Sequence, residues 1–360
     1  MKRRNFLKTA GVAAAATAAT TSVARAENKK VYQWKMVTTW PKNFPGLGTG
    51  ANYFAKKIKE MTNGEIEVTV YGAGELVPAL ETFDAVSNGT AQIGHAAAYY
   101  WKGKSEAAQF FSTVPFGLTA QEMNSWLYHG GGMELWTEIY APFNLVPAAA
   151  GNTGVQMAGW FNKEINSVED LKGLKMRIPG LGGEVLKRLG GTPVSLPGGE
   201  IFTSLQSGAI DATEFVGPYN DLAFGLYKAA KYYYYPGWHE PGTTLETFFN
   251  KQAVESLPKR LQLLLMDAAR IANQDMLSEF SARNGAALDA LVNKHGVQLK
   301  KLPDDTLLQL KKVSEEVIAE LAEKDETVKK VYDSYQSFKN KATDYAEISE
   351  RAYLNARALK

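Results

Sequence analysis

The sequence predicts an α/β fold of two lobes followed by a long helical C-terminal segment. Three observations carry that reading. Strand-like and helical runs alternate over residues 31–95, and a similar alternation restarts over residues 151–214. From about Pro258 the chain turns to Leu, Ala, Lys and Glu at helical spacing with few glycines. At 360 residues there is enough chain for about two domains, each with its own core.

The first 26 residues, MKRRNFLKTAGVAAAATAATTSVARA, carry five cations and no acid, and they end in an Ala-Arg-Ala cleavage site. Arg3-Arg4-Asn5-Phe6-Leu7-Lys8 resembles the twin-arginine export signature. The apolar run is too short and too rich in Thr to span a membrane, and no Cys is available for a lipid anchor. Cleavage after Ala26 changes the charge balance from +2 to 35 basic against 38 acidic residues, a net −3.

In the mature chain, Val31–Thr39 reads as a strand and Pro41–Gly50 as a Pro/Gly loop. Asn52–Met61 reads as a helix, Asn63-Gly64 as a turn and Ile66–Tyr71 as a strand. A helix over Leu80–Asn88 is closed by Gly89, and Ala91–His95 is a short buried strand. The second unit starts with a strand over Gly151–Phe161, a short helix over Ser167–Leu171 and a strand over Lys175–Ile178. It continues with a helix over Gly183–Leu189, a strand over Thr192–Leu196, a helix over Glu200–Ser207 and a strand over Ala209–Glu214. Lys259–Ala290 and Pro303–Ala356 are helical, the latter starting at Pro303-Asp304-Asp305 and broken around Lys324–Thr327. So long a helix either braces both lobes or packs on a partner chain.

Composition excludes several kinds of chemistry. With no Cys there is no thiol nucleophile, disulfide or thiolate metal centre. His95, His129, His239 and His295 lack zinc-binding spacing, and no G-x-S-x-G elbow occurs. Gly46-x-Gly48-x-x-Ala51 imitates a dinucleotide loop, but six residues separate it from the preceding strand. A mature chain of net −3 without a basic stripe does not fit nucleic acid. Export, two α/β units and a helical last third together suggest a two-lobed periplasmic ligand trap.

Specific segments then narrow the reading. Gly74-Glu75-Leu76-Val77-Pro78, Ala85-Val86-Ser87-Asn88-Gly89-Thr90 and Asp170-Leu171-Lys172-Gly173-Leu174-Lys175-Met176-Arg177 are similar to the DctP family, the substrate-binding subunits of TRAP transporters. Gly151–Met157 and Gly208–Glu214 continue the similarity, and Tyr232–Gly237 followed by Trp238-His239-Glu240 resembles its TakP-like branch. The resemblance covers nearly all of residues 31–355. It implies a hinged two-lobed binding protein with a long C-terminal helix, a dimer through that helix, and delivery of a small carboxylate to TRAP membrane subunits. It also implies a 2-oxo monocarboxylate such as pyruvate, held with sodium in the TakP-like branch or, for lactate in a related branch, with calcium. The expected organisation is 27–150 plus about 241–280 as lobe I, 151–240 plus about 281–330 as lobe II, and 331–360 as the C-terminal, dimerising helix.

By the same resemblance Arg177 is the residue that grips the ligand carboxylate. Its planar guanidinium suits two parallel N–H···O bonds and stays charged at physiological pH. Gln156, on an apolar stretch where an unpaired amide is costly, offers oxygen to a cation or N–H to the ligand. Glu214 and Glu240 would repel a bound anion unless a cation intervenes. Ligand, Glu214, Glu240 and Arg177 together leave −2, which sodium reduces to −1 and calcium to zero. Oxygen donors suit either ion. The expected cation ligands are Gln156, Glu214, Glu240 and the Phe215 carbonyl, Phe215 standing where the branch usually has Trp. Phe215, Glu240 and Tyr100 join Gln156 and Arg177 around the substrate, and Tyr99 lies beside them. For a ligand of about six heavy atoms the ceiling is roughly −9 kcal/mol, near a sub-micromolar dissociation constant, and a bridging ion is one way to reach it. The competing readings are the same fold binding lactate or another hydroxy or keto acid with calcium, and an exported metal-dependent hydrolase or lyase acting through Glu214 and Glu240.

Overall fold

The computed structural model describes residues 30–359. The export segment lies outside them. The first lobe is laid down as β1 (Tyr32–Thr38), α1 (Leu47–Met61), β2 (Ile66–Tyr71), α2 (Thr82–Ser87), β3 (Ile93–Ala96), α3 (Ala120–His129), α4 (Gly132–Tyr140) and β4 (Leu145–Asn152). The second follows as β5 (Gly159–Phe161), β6 (Lys175–Arg177), α5 (Gly180–Arg188), β7 (Thr192–Val194), α6 (Gly198–Gln206), β8 (Ala212–Thr213), α7 (Pro218–Phe224) and β9 (Tyr232–Tyr235). The chain then re-enters the first lobe with β10 (Thr244–Asn250), and α8 (Lys251–Glu255) leads into α9 (Lys259–Asp289). It ends with β11 (Gln298–Lys301), α10 (Asp304–Lys324), α11 (Glu326–Ile348) and α12 (Glu350–Arg357).

The first sheet has the order β2-β1-β3-β10-β4, with β1, β2 and β3 parallel and β10 antiparallel to both neighbours. Every residue of β10 is buried, as a central strand covered on both faces requires. The second sheet runs β11-β9-β5-β8-β6-β7. In both lobes the crossovers expected from the alternating pattern are present.

Three boundaries differ from the sequence reading. Helix α1 starts at Leu47, so the Pro/Gly loop is shorter than expected. The strand expected over Gly151–Phe161 is two strands in different sheets, β4 ending at Asn152 and β5 starting at Gly159. Gly154 between them has φ +70°, a left-handed turn that glycine adopts without strain, and it breaks the extended run. Gln156 therefore lies on an irregular lobe-to-lobe crossing and not on a strand. The strand expected over Ala209–Glu214 contracts to Ala212–Thr213, because the sheet pairs only those residues with β5 and β6.

Two helical segments span the lobes. Over its 31 residues α9 runs about 46 Å at 1.5 Å per residue. Its Leu261, Leu265, Ala268, Ala269 and Ala272 lie in the first lobe's core, and Met276 and Phe280 join a cluster with Phe215, Val216 and Tyr233 of the second. The chain breaks again at Asp325, within the expected Lys324–Thr327. The Asp325 carboxylate accepts from Thr327 N–H (2.7 Å) and Val328 N–H (3.1 Å), an N-cap that starts α11. Before that break Leu310 and Val317 pack on the second lobe, and after it Val328, Val331 and Tyr335 pack on the first. From Tyr345 onward the large apolar side chains are exposed.

Candidate ligand and cation site

Sheet register builds the centre of the site. Strand β6 pairs in parallel with β8, setting Arg177 beside Thr213, and Glu214 N–H donates to the Arg177 carbonyl (3.1 Å). Arg177 and Glu214 thus leave neighbouring strand ends on the same side, and both side chains are fully buried. Arg177 Nη1 forms a short ion pair with Glu214 Oε1 and also reaches the Glu214 carbonyl at 3.2 Å. Its Nε donates to the Leu196 carbonyl at 3.1 Å and its Nη2 to the Tyr100 hydroxyl at 3.0 Å. One Nη2 hydrogen remains for an incoming anion. Burial opposes the guanidinium charge, but the Glu214 charge, reinforced by Tyr100, Tyr99 and Glu240, outweighs it and raises the Arg177 pKa. Burial also holds the Tyr100 hydroxyl above its usual range, so it keeps its proton for donation.

The second element is the turn after β9. Gly237 N–H donates to the Gln156 carbonyl (3.0 Å), and Gln156 N–H donates to the Glu240 carbonyl (3.1 Å). A Cβ on Gly237 would lie 2.2 Å from the Gln156 carbonyl oxygen, so only glycine permits this approach. The Gln156 amide donates to Thr153 Oγ1 (3.1 Å) and Thr243 Oγ1 (3.3 Å), and Thr243 Oγ1 donates to Glu240 Oε2 (2.6 Å). Among the described residues, this orientation leaves the buried Gln156 Oε1 without a partner. Glu214 Oε2 is also unpartnered. Burial, reinforced by the Glu214 charge, pushes the Glu240 carboxyl well above its usual range. A cation is the natural complement to buried oxygen acceptors that no donor satisfies, and these donors fit one.

The first lobe covers the site. Phe44, from the loop after β1, stacks on Phe224 (4.1 Å between centroids) and meets the edge of Phe215 at 6.1 Å. The Phe215 ring lies 5.6 Å from Arg177 Cζ. Asn220 Nδ2 donates to the Pro45 carbonyl (2.8 Å), Lys102 pairs with Glu184 (2.7 Å), and Tyr99 packs on Gly180 at the start of α5. These contacts join the lobes over the buried charges.

Gln156, Arg177, Glu214, Phe215, Glu240 and Tyr100 therefore converge on the lobe interface. Sequence reasoning missed His239 and Thr243. The four histidines lack metal-ligand spacing, so His239 carries no signal of its own although it adjoins Glu240. Its buried ring nitrogens have no hydrogen-bond partner among the described residues, and Nε2 lies 3.4 Å from Glu214 Oε2. Thr243 carries no spacing signal of its own.

Comparison with known proteins places the chain. Residues 36–325 match the model of the DctP family, bacterial extracellular solute-binding protein family 7, and residues 1–20 match the twin-arginine translocation signal. A monocarboxylate 2-oxoacid-binding periplasmic protein of Nostoc sp. is 47% identical over 99% of this chain and 98% of its own length. A TRAP periplasmic solute-binding protein of Pseudoalteromonas atlantica, with bound sodium and pyruvate, is 43% identical at a TM-score of 0.89, covering 92% of this chain and 100% of that one. Another, from Colwellia psychrerythraea with bound calcium and pyruvate, is 44% identical at a TM-score of 0.88, covering 91% and 100%. The chain belongs to the DctP family: it is a periplasmic solute receptor of a TRAP transporter, exported by the twin-arginine route, and not an enzyme. Such receptors bind small carboxylates and work with the transporter's membrane subunits.

Proposed function

We propose that this receptor binds a small 2-oxo monocarboxylate of pyruvate type together with a hard cation, sodium or alternatively calcium. The observation that carries the reading is a buried guanidinium paired with Glu214, whose second oxygen is unpartnered and whose carboxylate lies within 4.8 Å of a ligand atom of the buried Glu240. Arg177, through its remaining Nη2 hydrogen, and the Tyr100 hydroxyl receive the carboxylate. Gln156 Oε1, Glu214 Oε2, Glu240 and the Phe215 carbonyl hold the cation, which supplies positive charge opposite the ligand's oxygens. Phe215 and Phe44 wall the apolar end. The binding of pyruvate by two similar proteins, once with sodium and once with calcium, supports both halves of this reading.

The test is isothermal titration of pyruvate into metal-depleted protein, in chelator and then with sodium or calcium restored, beside 2-hydroxy acids. Binding that requires a cation supports the reading. Affinity indifferent to chelator and to sodium-free buffer rejects the cation bridge, and tighter binding of lactate reassigns the ligand to 2-hydroxy acids.

The same receptor is proposed to be a homodimer through its C-terminal helices. Tyr345, Ile348, Tyr353 and Leu354 are exposed, Ile348 by 77%, an apolar surface that a second copy would cover. Light scattering should give twice the chain mass, and a Tyr345→Lys, Ile348→Lys variant should give the monomer mass. A monomeric wild type would reject the dimer.

A further inference from the structure

We propose that His239 is a nitrogen ligand of the site's cation, so that the receptor also accepts a first-row divalent transition ion in the manganese-to-zinc series. This rests on the cation site proposed above and extends its donor set from oxygen alone to oxygen plus imidazole.

Three observations point to it. The ligand atoms of Glu214, His239 and Glu240 lie within 4.8 Å of one another, and all three residues are buried. Among the described residues neither nitrogen of the His239 ring has a hydrogen-bond partner, and Glu214 Oε2, 3.4 Å from Nε2, has none either. The 3.4 Å from Nε2 to Glu214 Oε2 lacks hydrogen-bond geometry. It does match the spacing of two ligands on one ion, since bonds of about 2.0–2.2 Å at about 90–110° place their ends roughly 2.8–3.6 Å apart.

The identity of the donor decides the class of ion. Distance alone suits calcium as well, but an imidazole lone pair adds little for sodium or calcium, more for manganese and most for the later ions from iron to zinc. Arg177 takes Glu214 Oε1 and so turns Oε2 toward His239, while Thr243 takes Glu240 Oε2 and orients that carboxylate. Gln156 Oε1 supplies a neutral oxygen. The resulting set of two carboxylates, one amide oxygen, the Phe215 carbonyl and one imidazole is a mixed one of the kind transition ions occupy, and His239 sets the balance between hard and borderline cations.

The experiment uses the mature full-length protein, metal-depleted and loaded with Mn2+. Pulsed electron paramagnetic resonance should show nitrogen coupling that changes from a 14N to a 15N pattern when the protein is grown with 15N-histidine. This measurement requires no variant. In His239→Gln the histidine coupling should disappear, and the ratio of Zn2+ to Ca2+ affinity should fall at least about ten-fold. Bound Mn2+ with no histidine coupling, or an unchanged Zn2+/Ca2+ ratio in His239→Gln, overturns the proposal. Calcium-supported pyruvate binding in the same preparation would then leave the 2-oxo acid reading standing. Failure to bind any cation or pyruvate would overturn both.

Discussion

Glu246 and Glu214 are both completely buried glutamates, yet the protein treats them in opposite ways. Glu246, on β10 in the first lobe, accepts the Trp101 indole N–H on one oxygen (2.5 Å) and the Tyr140 hydroxyl on the other (2.7 Å). Glu214, at the lobe interface, has one oxygen matched by Arg177 and the other left without a donor. A buried acid closed by its own neighbours is part of a core. A buried acid left open between a guanidinium and an imidazole is suited to a ligand that its own lobe does not supply. Burial is common to both, and the unfilled acceptor is what separates the receptor's site from its scaffold.

The largest expected effect breaks the site at its cation. Arg177→Ala leaves Glu214 and Glu240 buried without their counter-charge. It should remove detectable 2-oxo acid binding by titration calorimetry and cost about 3–5 kcal/mol of stability in denaturant, as losing one partner of a buried pair does. Retained binding would show that the open acid needs no fixed cation. Next, Thr243→Val withdraws the hydroxyl shared by Glu240 and Gln156. With a buried acceptor left unpaired at about 1–3 kcal/mol, ligand affinity in saturating cation should fall roughly 5- to 150-fold. An unchanged affinity would mean that the open acceptors need no orientation.

Phe44→Ala removes the aromatic contact through which the first lobe covers Phe215 and Phe224. Such pairs contribute about 0.5–1.5 kcal/mol beyond burial, so binding should weaken about 3- to 10-fold for every ligand alike. A loss confined to ligands with longer chains would make Phe44 a selector instead of part of lobe closure. The smallest effect on binding is expected at the closed acid. Glu246→Gln should change affinity by less than about three-fold and act on stability instead.

The sign of that stability change follows from burial, which raises the Glu246 pKa from 4.5 to about 8 against the opposing bonds from Tyr140 and Trp101. Between those values the folded protein holds a proton that the unfolded chain has released. Stability therefore declines as pH rises through that window and levels off above about 8. Glu246→Gln removes this term, so its melting temperature relative to wild type should be higher at pH 8 than at pH 5. A parallel pH dependence in the two proteins would show that Glu246 remains charged in the core.

Much of the lobe architecture was legible because periodicity is local. The β1, β2 and β6 regions, the long helix beginning near Lys259 and the break before Thr327 each announce themselves within a window of about ten residues. Arg177, Glu214 and Glu240 were legible once the chain's resemblance was noticed, each standing in a distinctive run. His239 was not, since spacing rules for histidine ligands look for a second histidine one turn away, and here its companions are Glu214, 25 positions earlier, and Glu240 next to it. The place of Gln156 between β4 and β5 is hidden for a related reason. An extended, apolar run reads as one strand whether it stays in a sheet or leaves one for another.

The sequence by itself determined the export address, the two α/β units, the helical last third and the family, because each resides in contiguous composition or in short runs of fixed order. It could not decide which buried acids are closed and which are open. Glu246 is closed by donors 145 and 106 positions away, and Glu214 stays open because, among the described residues, no donor reaches Oε2 with hydrogen-bond geometry. Satisfaction of a buried charge is a property of where distant side chains arrive, and only the tertiary structure fixes that.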